Sequence, residues 1–280
     1  MSYIKLKKGT DGIVELIFDQ PNEKVNKMGD EYITAMQKAV GELVAMKDKI
    51  VGVYVRSGKD TFFGGGDLNM LLEMKTKMDE KEATFKFNGI MEAKKPLRLL
   101  ETLGVPVVVG INGAALGGGY EIALACHHRI AIDRADVKMG LPEAQLGLMP
   151  GAGGVVRMVR KFGCQNAITF ISQGMQYAGA KALEKGFCDE LATDEKDMHA
   201  KAKAWILANA GAKQPWDQPG YKIPGGSPAD KDPDQGLIGL LYFGPVNVMN
   251  STKGNFPAPK AIFACVHDVA RVDFDTAEKI

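Results

Sequence analysis

Two segments of this sequence share one arrangement: an apolar strand-like run, a run of glycines, and a helix-like run with an acidic residue. The first places FFGGGDL after IVGVYVR, and the second places LGGGYEIALA after VPVVVGING. Glycine adopts backbone angles that other residues avoid and lets another molecule approach the main chain. A helix that begins at such a turn presents free N–H groups and the positive end of its dipole. Each turn therefore suits either close packing or a bound negative charge, such as a phosphate or an enolate oxygen.

Neither glycine run is a standard nucleotide motif. The spacing GxGxxG after a first strand is absent, and so is the Lys-Ser/Thr ending of a P-loop. Two glycine turns on adjacent strands of a sheet can, however, aim two backbone N–H groups at one oxygen. The pair therefore predicts an oxyanion hole.

A third motif, GLPEAQLGLMPGAGG, occupies residues 140–154. The three motifs in this order closely resemble the crotonase superfamily of enoyl-CoA hydratases and isomerases, over about residues 10–195. They are most similar to the N-terminal hydratase part of bacterial multifunctional fatty-acid oxidation complex alpha subunits. The resemblance implies an α/β fold, with a crotonase-like ββα spiral core (residues 1–195) followed by a helical C-terminal region (196–280). That region includes a Pro/Gly-rich linker at 211–234.

The same resemblance implies a site. Its catalytic groups are the backbone N–H groups of Gly66 and Gly118 and the side chains of Glu121 and Glu143. We expect Glu121 to hold and activate a water and Glu143 to deliver the α-proton. The family more often has Ala at position 66, and Gly there makes the loop looser. The residues expected to bind coenzyme A and the acyl chain are Lys24, Lys27, Gly64, Gly65, Asp67, Leu68, Met70, Gly117 and Pro142, with Arg56 and Lys59 near the phosphates.

The implied function is hydration of enoyl-CoA in fatty acid β-oxidation. The presence of both glutamates favours hydration, and a shift of the cis-3 double bond to trans-2 would need Glu143 alone. Two alternatives stay open: a non-catalytic acyl-CoA-binding subunit, and another crotonase reaction such as thioester hydrolysis. The resemblance also implies a dehydrogenase domain or a thiolase partner, an oligomer, and a chain that is the N-terminal portion of a longer protein. Coenzyme A enters as part of the substrate, and no tightly bound cofactor is implied.

Composition narrows the function class. The net charge is +1, from 35 basic and 34 acidic residues, which argues against nucleic acid as a partner. No apolar run approaches the ~20 residues of a membrane span, and the N-terminus has no signal-peptide core, so we expect a cytoplasmic protein. The four cysteines form no CxxC pair and the histidines have no metal-ligand spacing, so no metal is expected.

The local patterns predict particular elements. Alternation predicts a strand at 13–18, and helical spacing predicts a helix at 29–49. Further helices are expected at 67–103, 155–162, 167–172, 178–185, 193–210, 237–250 and 259–280. Residues 137–140 are expected to pair with a strand at 129–132 across a turn at 133–136. Arg157 and Arg160 are expected to be exposed.

Overall fold

The computed structural model describes residues 2–67 and 79–280. Strands lie at β1 Ile4–Lys8, β2 Ile13–Phe18, β3 Gly52–Ser57, β4 Val107–Ile111, β5 Ala115–Leu116, β6 His128–Ile132, β7 Met139–Gly140, β8 Gln176–Tyr177 and β9 Glu190–Ala192. Helices lie at α1 Asp30–Met46, α2 Glu80–Glu101, α3 Gly118–Leu124, α4 Gly154–Ser172, α5 Gly179–Glu184, α6 Glu195–Ala208, α7 Gln235–Thr252, α8 Pro257–Val269 and α9 Phe274–Ala277. Short 3-10 turns occupy Lys47–Lys49, Glu143–Leu146 and Pro215–Asp217.

The main sheet has six strands in the order β1-β2-β3-β4-β6-β9. Strand β1 is antiparallel to β2, and the remaining neighbours are parallel. Parallel strands that are covered on both faces have nearly continuous apolar sequences. Strand β4 is of this kind, since it is buried along its whole length. The strand predicted at 13–18 is confirmed as β2, and the mixed α/β class is confirmed with it.

A second sheet has three strands in the order β5-β7-β8. The expected pairing of residues 137–140 with the strand at 129–132 is wrong. Strand β6 has parallel neighbours on both edges, β4 and β9, so no edge remains for an antiparallel partner. Residues 133–136 therefore connect two different sheets instead of closing a hairpin.

The chain divides into two compact units. The first comprises the residues up to Met139 together with Tyr177–Lys213, and the second comprises Gly140–Gln176 and Gln214–Ile280. The predicted boundary at residue 195 rests on the extent of the sequence motifs, whereas these two units are defined by packing. That boundary therefore stays a prediction. In the second unit the long helix α4 packs against α8, which buries Ile262, Phe263 and Val266.

The expectation that Arg157 and Arg160 are exposed is wrong. Arg157 is 0% exposed, and its Nη1 lies 3.2 Å from Oε1 of Glu278. Arg160 donates hydrogen bonds to the carbonyl oxygens of Val269 (3.2 Å) and Val272 (2.8 Å). The last carbonyls of a helix lack partners within that helix, and Arg160 supplies one at the end of α8. The C-terminal segment therefore covers this face of α4.

Within residues 2–67 and 79–280, no helix combines the length and apolar character needed to cross a bilayer.

Candidate active site

The first glycine turn is held by two parallel backbone bridges, one between Phe63 and Ala115 and one between Met28 and Gly66. In the second bridge, the N–H of Met28 donates to Gly65 (2.8 Å) and the N–H of Asp67 donates to Met28 (3.0 Å). In a parallel bridge of this kind, Met28 bonds to the carbonyl group of the residue before Gly66 and to the N–H group of the residue after it, and not to Gly66 itself. The N–H of Gly66 therefore points to the opposite side, away from Met28.

The second glycine turn starts helix α3. Gly117 precedes the helix with φ 55° and ψ −125°, a conformation that requires glycine. Its carbonyl oxygen accepts hydrogen bonds from the N–H groups of Tyr120 and Glu121. The N–H of Gly118 belongs to the first turn of the helix, where no intrahelical acceptor exists.

The two turns contact each other within the first unit. A Cβ atom on Gly65 would lie 3.0 Å from the carbonyl oxygen of Leu116, and one on Gly119 would lie 2.5 Å from that of Phe63. Only glycine allows the two backbones to approach so closely. The structure thus brings together six of the residues predicted for the site: Gly64, Gly65, Gly66, Asp67, Gly117 and Gly118.

Glu121 lies on a helix that is buried throughout. Every residue of α3 is buried, and Glu121 itself is 2% exposed. An ionisable group that solvent does not reach is a candidate for catalysis, because burial of a charge is costly and needs a reason. Glu121 therefore fits the predicted catalytic position better than a solvated helix position.

Tyr32 is a neighbour of Glu121 that the sequence pattern did not single out, since it falls in the apolar stripe of α1. Its hydroxyl is buried and has no hydrogen-bond partner among the described residues. Burial, and after it the charges of Tyr3 and Glu121, raise the pKa of Tyr32 well above its ordinary value. The hydroxyl therefore stays protonated in the surroundings of Glu121.

Asn26 is a second residue that sequence reasoning missed. Its side chain is 0% exposed and donates to the oxygens of Phe62 (2.9 Å) and Ser57 (3.0 Å), while its Oδ1 accepts from the N–H of Gln20 (3.0 Å). The backbone oxygen of Asn26 also accepts from the N–H of Gly64 (2.9 Å). Asn26 therefore fixes the loop at residues 20–28 against the first glycine turn. A buried asparagine inside a polar loop leaves no periodic signal.

The loop at residues 20–28, which is expected to bind coenzyme A, belongs to the first unit and contains basic residues. Lys24 is exposed, while Lys27 lies 3.0 Å from Glu23 and 3.9 Å from Asp67. Lys59 bonds to the carbonyl oxygens of Gln20 and Glu23, each at 2.8 Å, so it braces this loop. Arg56, expected near the phosphates, instead pairs with Glu15 at 2.8 Å. Leu68 and Met70 lie outside the described residues.

Glu143 belongs to the second unit, where it begins a short 3-10 turn directly after Pro142. The turn ends at Gly147, whose φ of 76° is left-handed, and the N–H of Leu148 donates to the carbonyl oxygen of Glu143 (3.1 Å). The side chain of Gln145 donates to Gly174 (3.3 Å) and so braces the turn. The side chain of Glu143 is half-buried, with Oε2 withdrawn from solvent. Its pairing with Glu121 stays a prediction.

Across the part of the chain that the structure describes, no group of three or more His, Cys, Asp or Glu side chains is arranged to hold a metal ion.

Comparison with known proteins gives a consistent result. The family described as Enoyl-CoA hydratase/isomerase matches residues 8–214. The fatty acid oxidation complex subunit alpha of Shewanella loihica is 33% identical over 93% of this chain and 35% of its own length. That of Pseudomonas syringae pv. tomato is 34% identical over 99% of this chain and 37% of its own length. The chain thus spans about a third of these curated relatives.

Solved structures show the same likeness. The enoyl-CoA hydratase of Bacillus anthracis has a TM-score of 0.63 at 26% identity, over 74% of this chain and 76% of its own. DspI of Pseudomonas aeruginosa has a TM-score of 0.62 at 26% identity, over 74% of each chain. These likenesses confirm the predicted crotonase-like fold and the predicted resemblance to fatty-acid oxidation alpha subunits.

Proposed function

The chain belongs to the enoyl-CoA hydratase/isomerase family, and on that premise we propose that it adds water across the trans-2 double bond of enoyl-CoA thioesters in fatty acid β-oxidation. One observation carries the proposal. Two glycine turns contact each other in the first unit, and the second begins a buried helix that carries Glu121. Backbone donors and a solvent-excluded carboxylate are what this reaction requires.

The two turns supply the proposed oxyanion hole. In our proposal the thioester oxygen accepts hydrogen bonds from the N–H groups of Gly66 and Gly118, which stabilise the negative charge as the enolate forms. Donors of this kind act strongly because they are fixed before the reaction and lie where little water reaches. Removing one such donor typically costs ~10²–10³ in rate.

The two glutamates supply the proposed proton transfers. Glu121 takes a proton from water while the water oxygen bonds to C3 of the substrate, and the electrons of the double bond move onto the thioester oxygen. Glu143 then gives a proton to C2 as the carbonyl re-forms. The product is the 3-hydroxyacyl thioester, and one proton passed from Glu121 back to Glu143 restores the enzyme.

We further propose that Glu143 alone supports a shift of the cis-3 double bond to trans-2, because that step only moves a proton from C2 to C4. It needs no bound water and therefore no second carboxylate. A chain without Glu121 would keep this activity and lose hydration.

Coenzyme A is proposed to enter only as part of the substrate, with Lys24 and Lys27 near its phosphates. Both residues lie on the loop that Asn26 joins to the first glycine turn. The relatives are named as alpha subunits of a fatty acid oxidation complex. We therefore propose as partner either a dehydrogenase domain, which would oxidise the hydrated product at C3, or a thiolase, which would act on the product of that oxidation.

The test measures the ultraviolet absorbance of the enoyl thioester, with crotonyl-CoA and a longer enoyl-CoA as substrates. We expect rapid loss of absorbance with the parent chain and a rate lower by ~10²–10⁴ in Glu121→Gln and in Glu143→Gln. Glu184→Gln serves as the matched control, since Glu184 is exposed and pairs with Lys181. It should retain the parental rate.

The alternatives give different results in the same assay. Binding of the thioester without loss of absorbance would indicate a non-catalytic acyl-CoA-binding subunit. Release of free thiol, detected with a thiol reagent, would indicate thioester hydrolysis. Near-parental hydration by both glutamine variants would refute the proposed mechanism.

A further inference from the structure

A cleft of about 760 Å³ lies in the first unit, apart from the glycine turns. Helix α6 lines it on one side with Glu195, Lys196, Met198, His199 and Lys203, and the main sheet lines it on the other. The volume falls in the range of ~300–1,000 Å³ that is usual for small-molecule sites. The cleft is therefore large enough for a metabolite.

The sheet side of the cleft is polar where an apolar surface is expected. Lys7, Glu15 and Tyr54 stand opposite one another across β1, β2 and β3. Arg56 follows on the same face of β3, two residues after Tyr54. Strands buried in a parallel sheet normally carry apolar side chains on both faces. A row of polar side chains here thus departs from what the fold alone requires.

Two buried polar atoms at this cleft have no hydrogen-bond partner among the residues that the structure describes: the hydroxyl of Tyr54 and Oδ1 of Asn112. Tyr54 is 0% exposed and Asn112 is 4% exposed, and both line the cleft. Leaving such a group unsatisfied costs ~1–3 kcal/mol, so native structures rarely do so without a reason.

The hydroxyl of Tyr54 is a permanent donor. Burial raises its pKa above the ordinary value, so the proton stays on the oxygen at neutral pH. The ring is held edge-on against His199, with the centroids 5.0 Å apart. The hydroxyl also lies where a Cβ on Gly110 would stand, 2.4 Å from its oxygen, so the glycine leaves room for it. The donor is therefore fixed in position.

The neighbouring charges favour an anion. Among the lining residues, Lys7, Arg56, Lys196 and Lys203 face only Glu15 and Glu195. Both carboxylates are already engaged, Glu15 by Arg56 (2.8 Å) and Glu195 by the amide nitrogen of Asn112 (3.1 Å). Their negative charge is largely used within the protein, and the lysines at the rim leave a positive surplus.

We propose that this cleft binds a small organic anion, a carboxylate or a phosphate ester with a hydroxyl group. The anionic oxygen accepts the hydrogen bond of Tyr54, and the hydroxyl of the ligand donates to Oδ1 of Asn112. The site is separate from the proposed hydratase site and does not depend on that activity.

The test is titration calorimetry of the whole chain with malate and with glycerol 3-phosphate as probes, at constant ionic strength. We expect saturable binding of one probe, which identifies the anionic group as carboxylate or phosphate. Tyr54→Phe removes only the hydroxyl and should weaken binding by about 10- to 100-fold, the value of one hydrogen bond to a charged group. The Tyr54→Phe chain without ligand should melt at or above the parental temperature, because an unsatisfied buried hydroxyl is removed.

Tyr32→Phe is the matched control. It also removes a buried hydroxyl without a partner among the described residues, but Tyr32 does not line the cleft, so probe affinity should not change. Lys196→Gln, at the exposed rim, gives an independent reading and should weaken binding by roughly 2- to 5-fold without affecting the fold. The proposal is overturned if neither probe saturates at millimolar concentration, or if Tyr54→Phe binds with parental affinity.

Discussion

Removal of the carboxylate of Glu278 should destabilise the second unit strongly. Glu278 faces Arg157, which is 0% exposed, across 3.2 Å. Breaking a buried ion pair from one side costs ~3–5 kcal/mol, because the remaining buried charge loses its ion-pair partner. Arg157 would keep a 3.3 Å hydrogen bond to Gly153 and its place 5.1 Å from the centre of the Phe274 ring. We therefore expect Glu278→Ala to cost about 3 kcal/mol, the low end of that range.

The assay is urea unfolding followed by tryptophan fluorescence. Of the two tryptophans, Trp216 lies in the second unit and stacks on Phe274 with ring centroids 5.9 Å apart. A Trp205→Phe background leaves Trp216 as the reporter of this unit alone. Asp268→Ala provides a control in the same unit, because Asp268 is exposed and its removal should cost at most ~0.5 kcal/mol.

A second variant separates charge burial from loss of contacts. Arg157→Met combined with Glu278→Leu replaces both partners by apolar side chains, which is often neutral for buried pairs. It should recover most of the stability that Glu278→Ala loses. A loss below ~1 kcal/mol in Glu278→Ala, or no recovery in the double variant, would refute the view that Arg157 is a compensated buried charge.

Three further predictions follow from local geometry. Gly119→Ala should lower the melting temperature strongly, because its Cβ would meet the backbone oxygen of Phe63 at 2.5 Å, whereas Gly118→Ala meets only a flexible methionine end and should fold normally. Asn26→Ala should cost about 3 kcal/mol in urea unfolding, since it leaves several buried groups unsatisfied. Burial lowers the pKa of His128 below its ordinary 6.5, so the unfolded chain binds the proton more readily. The contribution of His128 to the free energy of unfolding should therefore be fully present above pH 6.5 and be lost as the pH falls below that value. His128→Phe should make the free energy of unfolding depend less on pH in unfolding curves measured from pH 5 to 8.

Local patterns in the sequence carried much of the fold. The strand at 13–18 and the helix at 29–49 were predictable because burial imposes a period on their side chains. The glycine turns were predictable because close backbone contact admits no other residue, and a Cβ on Gly65 or Gly119 would meet a neighbouring carbonyl oxygen.

The errors concern partners that are distant in the chain. Arg157 has the pattern of an exposed helix residue, and its burial involves a glutamate 121 positions later in the chain. The strand at 137–140 was assigned to its nearest neighbour, whereas β6 already has a partner on each edge, and one of them, β9, comes some sixty residues later. Tyr54 and Glu15 show the same limit, since they become neighbours only through the register of the sheet.

The interleaving of the two compact units has a consequence for synthesis on the ribosome. The segment with Glu143 emerges long before the helix α8 that packs against α4, and Tyr177–Lys213, which completes the first unit, emerges between them. Contacts across so long a stretch of chain form late, because the loop between them must close first. The face of α4 that α8 covers therefore stays without this cover until the C-terminal helices emerge. Glu143 would then be the later of the two glutamates to reach its native surroundings.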